Sequence, residues 1–113
     1  MERIIEYQKI IRGVIADYAE VLTGPPLPKF EVALALDDEH SQYVLRRVGW
    51  SAQEHYNIYG LHVMLRNGKI WIEEDMTEDG IVNKLLARGV PREDIVLGFQ
   101  PPFMRSQAEF SLA

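Results

Sequence analysis

Arg66-Asn67-Gly68-Lys69 constrains the fold of this chain more than any other four residues. Asn-Gly is a preferred centre for a type I′ two-residue hairpin, because both central residues take positive φ there. Such a turn sets the register around it. Arg66 faces Lys69, Leu65 faces Ile70, Met64 faces Trp71 and Val63 faces Ile72. Side chains alternate between the two faces of a strand. Leu61, Val63, Leu65, Ile70 and Ile72 therefore share one face, assigned to the core. Met64 and Trp71 pair on the other face, beside His62 and Glu73, which this register sets opposite each other. Apolar groups thus leave both sides of a thin sheet. The second side needs a cover, either the first helix or a partner.

The remaining elements follow from periodicity. Ile4, Tyr7, Ile11, Val14, Tyr18 and Val21 recur at alternating spacings of four and three, and Ile5, Ile15 and Leu22 widen the stripe. This predicts an amphipathic helix over 2–22, ended by Gly24-Pro25-Pro26. Gly13 inside it weakens the helix but permits close approach of another element. The stripe lies on a sheet in the plainer reading and docks on a second subunit in the sharper one. Phe30, Val32, Leu34 and Leu36 alternate with Glu31, Ala33, Ala35 and Asp37, as in a half-buried strand. After the turn "DDEHSQ", residues 43–50 form a second strand with Val44, Arg46, Val48 and Trp50 on one side. A third runs from about Tyr56 to Arg66. Thr77 has the chemistry of an N-cap, and Glu78 and Asp79 suit the positive end of a helix dipole. Ile81, Val82, Leu85 and Leu86 supply that helix's apolar stripe, and Gly89 stops it. Ile95 to Phe99 reads as a buried strand ended by Pro101 and Pro102, and "FSLA" as a last short one.

The order is a long N-terminal helix, a four-stranded and mostly antiparallel meander, a second helix, and one or two further C-terminal strands. That is an α+β domain. The chain's 113 residues suit one domain, 1–113. Cysteine is absent, which excludes disulfides, thiolate metal sites and a cysteine nucleophile. No apolar stretch approaches the length that spans a bilayer, and the N-terminus has no signal-peptide pattern, so a cytoplasmic protein is expected. A net charge of −5 opposes strong binding to a phosphate backbone. Eight basic residues (Arg46, Arg47, Arg66, Lys69, Lys84, Arg88, Arg92 and Arg105) could still converge on DNA, but a solvated face is the preferred reading.

The chain contains no phosphate-cradling G-x-x-x-x-G-K-[ST] loop and no G-x-S-x-G elbow. A magnesium-dependent nuclease needs spaced carboxylates and a nearby lysine. No Glu-x-Lys or Asp-x-Lys pair completes such a set. Residues 37–40, "DDEH", are the best hard-metal candidate, yet successive residues of a tight turn diverge and charged turns are commonly solvated. "EEDMTED", residues 73–79, either solvates a strand end or docks a basic partner. His62 with Glu73 makes a cross-strand polar pair before it makes a catalytic base. Exposed, Trp50, Trp71 and Tyr59 would serve as interface anchors.

In its second half the chain carries "YGLHVMLRNGKIWIEEDMTEDGIVNKLLARGVPREDIVLGFQPPFMR", preceded by "VGW" at 48–50, an acidic turn and an Ile/Tyr-rich helix. In these features and their order it resembles the XisI family, known as the controlling factor for excision of the fdxN DNA element. Met76 stands where that family usually has glycine, and the tail "SQAEFSLA" keeps only Glu109 and Phe110 of the pattern. The resemblance implies a cyanobacterial-type accessory factor that lets a site-specific recombinase remove a DNA element. It also implies a XisH-like, nuclease-like partner protein.

The expectation is a non-enzymatic protein acting through protein–protein contacts, with no cofactor, no metal and no catalytic residues of its own. Two copies could also self-associate. The candidate contact residues on the sheet are Trp50, Met64, Trp71, His62 and Glu73. From the C-terminal block come Arg92, Asp94 and Arg105. The competing reading is a small enzyme or ligand-binding domain using His62, Glu73 and the turn from Asp37 to His40.

Overall fold

The computed structural model describes residues 2–23, 31–77 and 80–101. Gly24-Pro25-Pro26, Phe30, Glu78, Asp79, Pro102, Arg105 and the "FSLA" segment lie outside them. Helix α1 is Glu2–Thr23, and strands β1 to β4 are Glu31–Asp37, Gln42–Ser51, Glu54–Arg66 and Lys69–Asp75. Helix α2 (Val82–Ala87), a 3-10 turn (Arg92–Asp94) and β5 (Ile95–Leu97) complete the order. The strands make one sheet in sequence order, antiparallel from β1 to β4, with β5 parallel to β4. The fold is therefore the expected α+β type, and among the described residues one C-terminal strand joins the sheet.

The hairpin at Asn67-Gly68 forms as its chemistry dictates. Asn67 has φ 55° and Gly68 φ 76°, and the pairs Arg66–Lys69, Leu65–Ile70, Met64–Trp71 and Val63–Ile72 are all present. Leu61, Val63, Ile70 and Ile72 are fully buried, and Leu65 packs at their margin. Tyr43 and Leu45 of β2 continue this face. Onto it α1 lays Tyr7, Ile11, Val14, Ile15 and Ala19, and α2 adds Leu85 beside Ile81. Each large aliphatic chain so buried stabilises the fold by about 1.5–3 kcal/mol. The middle of the α1 stripe thus packs on the sheet, while Ile4, Ile5 and Val21 stay exposed toward its ends.

Two bulges depart from simple alternation. Between β2 and β3 the register shifts at Leu45/Arg46, where Leu45 pairs with Leu61 and Arg46 with Tyr59. Gly60 is the extra residue, and a side chain there would run into Leu45. Between β3 and β4 the shift falls at His62/Val63. Here Glu73 is the extra residue, so Glu74, not Glu73, stands opposite His62. This corrects the pairing expected from the turn alone, which counts residues outward without an insertion.

The second helix starts later than its sequence suggests. Thr77 is not its N-cap. Ile81 holds that position, with no side-chain cap. Asp75 organises the approach instead. Its Oδ1 accepts from Thr77 N at 3.0 Å and Thr77 Oγ1 at 2.5 Å, and its Oδ2 accepts from Ile81 N at 2.9 Å. Gly80 takes φ +76°, so among the described residues of this connection the left-handed one is Gly80, and Met76 has no positive φ. Gly89 follows α2 as expected. β5 ends at Leu97, two residues short of Phe99, because Gln100 N turns back to donate to Leu97 O.

Candidate interaction surface

Both helices share one core with the sheet, so alternation places Val44, Arg46, His62, Met64 and Trp71 on the opposite face. The Gly60 bulge adds Tyr59 to that face, three residues from His62. The contacts agree. The Arg46 guanidinium lies 4.4 Å from the centroid of the Tyr59 ring, and its Nε donates to Asn57 Oδ1 at 2.9 Å. Tyr59 stacks on His62 with centroids 5.6 Å apart. The His62 ring Nε2 bonds Gln42 Oε1 at 2.9 Å. At the far end of the β2–β3 hairpin the Trp50 and His55 rings meet at 4.9 Å. Toward β4, Arg66 lies 5.0 Å from the Trp71 centroid and donates to the Met64 sulfur at 3.7 Å.

The two ends of this face differ. Near β5 it is less open: Val96, opposite Trp71, is fully buried, and Trp71 and Met64 are half-buried. At the β2–β3 end it is open, with Trp50 66% and Tyr59 41% exposed. Large amphipathic rings next to a planar cation are the composition of interface anchors. The isolated Gly60 within a strand pattern was the signal from which the bulge, and hence the Tyr59–His62 stack, could have been found.

The other residues singled out from the sequence are dispersed. The Glu73 carboxylate lies over Gly98. Arg92 is exposed on the 3-10 turn. Asp94 on the same turn is buried and accepts a hydrogen bond from the Tyr7 hydroxyl, with Arg3 3.6 Å away. It serves as an anchor for α1 more than as an outward contact. Burial first, then this bond, push the Tyr7 hydroxyl up to about 12. A second anchor sits at the β1–β2 turn. Asp38 accepts from buried Tyr43 at 2.8 Å and from Arg12 of α1 at 3.4 Å. Burial and Asp38 push the Tyr43 hydroxyl up as well. No local pattern announces the first anchor, since Tyr7 and Asp94 are 87 residues apart, and the second reaches α1 only through Arg12, 26 residues from Asp38.

The acidic turn is tied up internally. Asp37 accepts from the His40 backbone at 3.0 Å and pairs with its ring Nδ1 at 2.7 Å. Those bonds, the backbone one foremost, hold the Asp37 carboxyl below its usual range. Asp38 points to the helix side, whereas His62 lies on the opposite face, so the groups required by the enzyme reading do not converge. Among the described residues no group of three His, Asp or Glu is arranged to hold a metal ion. No helix among them is long and apolar enough to cross a membrane. A cleft of about 400 Å³ opens between the end of α1 and the start of α2, lined by Tyr18, Val21, Leu22, Thr77, Gly80, Ile81 and Lys84. It contains none of the histidines.

The family model described as "XisI protein" matches residues 1–112. Among solved structures, the chain is similar to the fdxN element excision controlling factor XisI from Anabaena variabilis ATCC 29413. The identity is 32% and the TM-score 0.87, over 98% of this chain and 99% of that one. It is equally similar to a XisI-like protein from the same organism, at 32% identity and TM-score 0.88, over 97% and 99%. No curated protein matches it. A family match over almost every residue, joined to one fold shared end to end, makes this chain a member of the XisI family.

Proposed function

We propose that this chain is a non-enzymatic accessory factor of the cytoplasm. It binds a second, XisH-like protein during excision of a DNA element by a site-specific recombinase. One relative of the same fold is named as an excision controlling factor, which supports the setting. The observation that carries the binding role is the open end of the outer face. There Trp50 and Tyr59 stand exposed beside Arg46 and His55, on the part of the β2–β3 hairpin beyond the buried pair Leu45 and Leu61. Such rings contribute little to the core and much to a contact. Truncating a central anchor of this kind costs about 2 kcal/mol or more of binding.

Co-purification and titration calorimetry with a XisH-like protein test this. The wild type is expected to associate at micromolar concentration or tighter. Trp50→Ala with Tyr59→Ala should weaken binding at least about tenfold, with an unchanged circular dichroism spectrum. A wild type that fails to associate at micromolar concentration ends the proposal, and a double variant that binds unchanged removes this face from it.

A further inference from the structure

β1 is an edge of the sheet. It pairs with β2 on one side, and among the described residues no segment pairs with its other side. In an antiparallel ladder, alternate residues direct their N–H and C=O groups toward the neighbour and the residues between direct theirs outward. Among the described residues the free side of β1 is therefore a row of open donors and acceptors. Natural edges are blunted by lysine, proline, a bulge or extreme shortness. β1 uses none of these. It is seven residues long, its five central residues are Val-Ala-Leu-Ala-Leu, and its ladder with β2 runs without a shift. Leu34, midway along and opposite buried Leu45, is 45% exposed.

Charge decides what fits there. Glu31 stands at one end, and Asp37, Asp38 and Glu39 at the other. Asp37 and Asp38 are held by His40, Arg12 and Tyr43. Among the described residues neither Glu31 nor Glu39 has a cationic partner. A second copy paired antiparallel about Leu34 would set Glu31 against Asp37 at both ends, and like charges directly opposite are destabilising. An extended segment with basic ends meets complementary charge at both. We infer that β1 is a docking edge for an extended segment of another protein, apolar at alternate positions and carrying Lys or Arg at both ends, which adds to the sheet as a sixth strand. Main-chain bonds supply the affinity, and the terminal charges select the partner. The apolar side chains of that strand lie beside Leu34. This inference is independent of the Trp50–Tyr59 surface and of any XisH-like protein.

Two blocked synthetic peptides test it, Lys-Val-Thr-Val-Thr-Val-Lys and the same sequence with Glu at both ends, titrated into the full chain. Binding is followed by NMR shifts and by hydrogen exchange of β1 amides. The basic-ended peptide should protect alternate amides of β1 and bind about tenfold or more tightly than the acidic-ended one. Ala35→Lys, a cation at an exposed edge position that leaves the β2 ladder intact, should weaken that binding by a similar factor. The inference is overturned if neither peptide protects β1, if both bind alike, or if the wild type sediments as a dimer with the β1 amides already protected by its own copy.

Discussion

Tyr7 is a buried phenol whose partner is a buried acid. Its hydroxyl donates to Asp94, and the neutral phenol is the form that the interior and the carboxylate both favour. The linkage has a definite sign. The folded-state value, about 12, lies above the unfolded value of 10.0. The folded chain therefore holds a proton that the unfolded chain releases between those values. Stability from this group is complete below pH 10 and falls as pH rises to about 12. A gap of about two units corresponds to roughly 2–3 kcal/mol. Tyr43 adds a loss of the same sign. In Tyr7→Phe the alkaline loss should shrink by about that amount, measured as urea midpoints at pH 9 and pH 11.5. At pH 7 the same variant should lose about 1–3 kcal/mol, because Asp94 keeps its burial and loses its donor. An alkaline slope identical to the wild type would show that Tyr7 is not the group titrating. Tyr7 was legible only as an apolar stripe residue, since its helical spacing says which way it faces and nothing about which acid awaits it.

Short connections between elements rest on single side chains. Asp75 takes three hydrogen bonds that tie the end of β4 to the start of α2. Asp75→Ala should cost about 2–3 kcal/mol in chemical denaturation, and Asp75→Asn, which keeps one acceptor oxygen, about half of that. A loss below 0.5 kcal/mol in both, the range of an ordinary surface change, would mean that the turn holds itself. Gly13 poses the opposite case in α1. The Arg88 guanidinium lies against it and reaches Asp17 at 2.6 Å. Gly13→Ala gains about 1 kcal/mol of helix propensity and displaces an exposed ion pair worth about 0.2–1 kcal/mol. The net change in unfolding free energy should stay near zero or slightly favourable. A loss above about 1 kcal/mol would give that guanidinium seat a larger role than an exposed pair. The elements themselves were readable because periodicity and Asn67-Gly68 are local. The start of α2 was not, since Thr77 has cap chemistry but donates its hydroxyl to Asp75, two residues earlier, and Asp75 also takes the Ile81 amide. His62 was matched to Glu73 for a related reason, as one inserted residue changes a register that turn chemistry alone specifies.

At the scale of the molecule, one layer of helix covers one face of one sheet, and among the described residues part of the other face is exposed. That asymmetry was visible in the sequence as apolar residues on both sides of the β3–β4 hairpin. Which part stays open was not, because burial of Val96 and exposure of Trp50 depend on how far each strand runs past the core. The described residues share a single core, which predicts one cooperative unit. Ile15 is fully buried where α1 meets the sheet, while Trp71 reports from the sheet's other face. Ile15→Ala should cost about 2–5 kcal/mol, a large part of the about 5–15 kcal/mol typical of a domain. If helix and sheet stand or fall together, helical ellipticity and tryptophan fluorescence should shift to one lower midpoint in the variant. Two separate midpoints would mean that α1 can leave while the sheet persists, and the face it now covers would then be available to a partner as well.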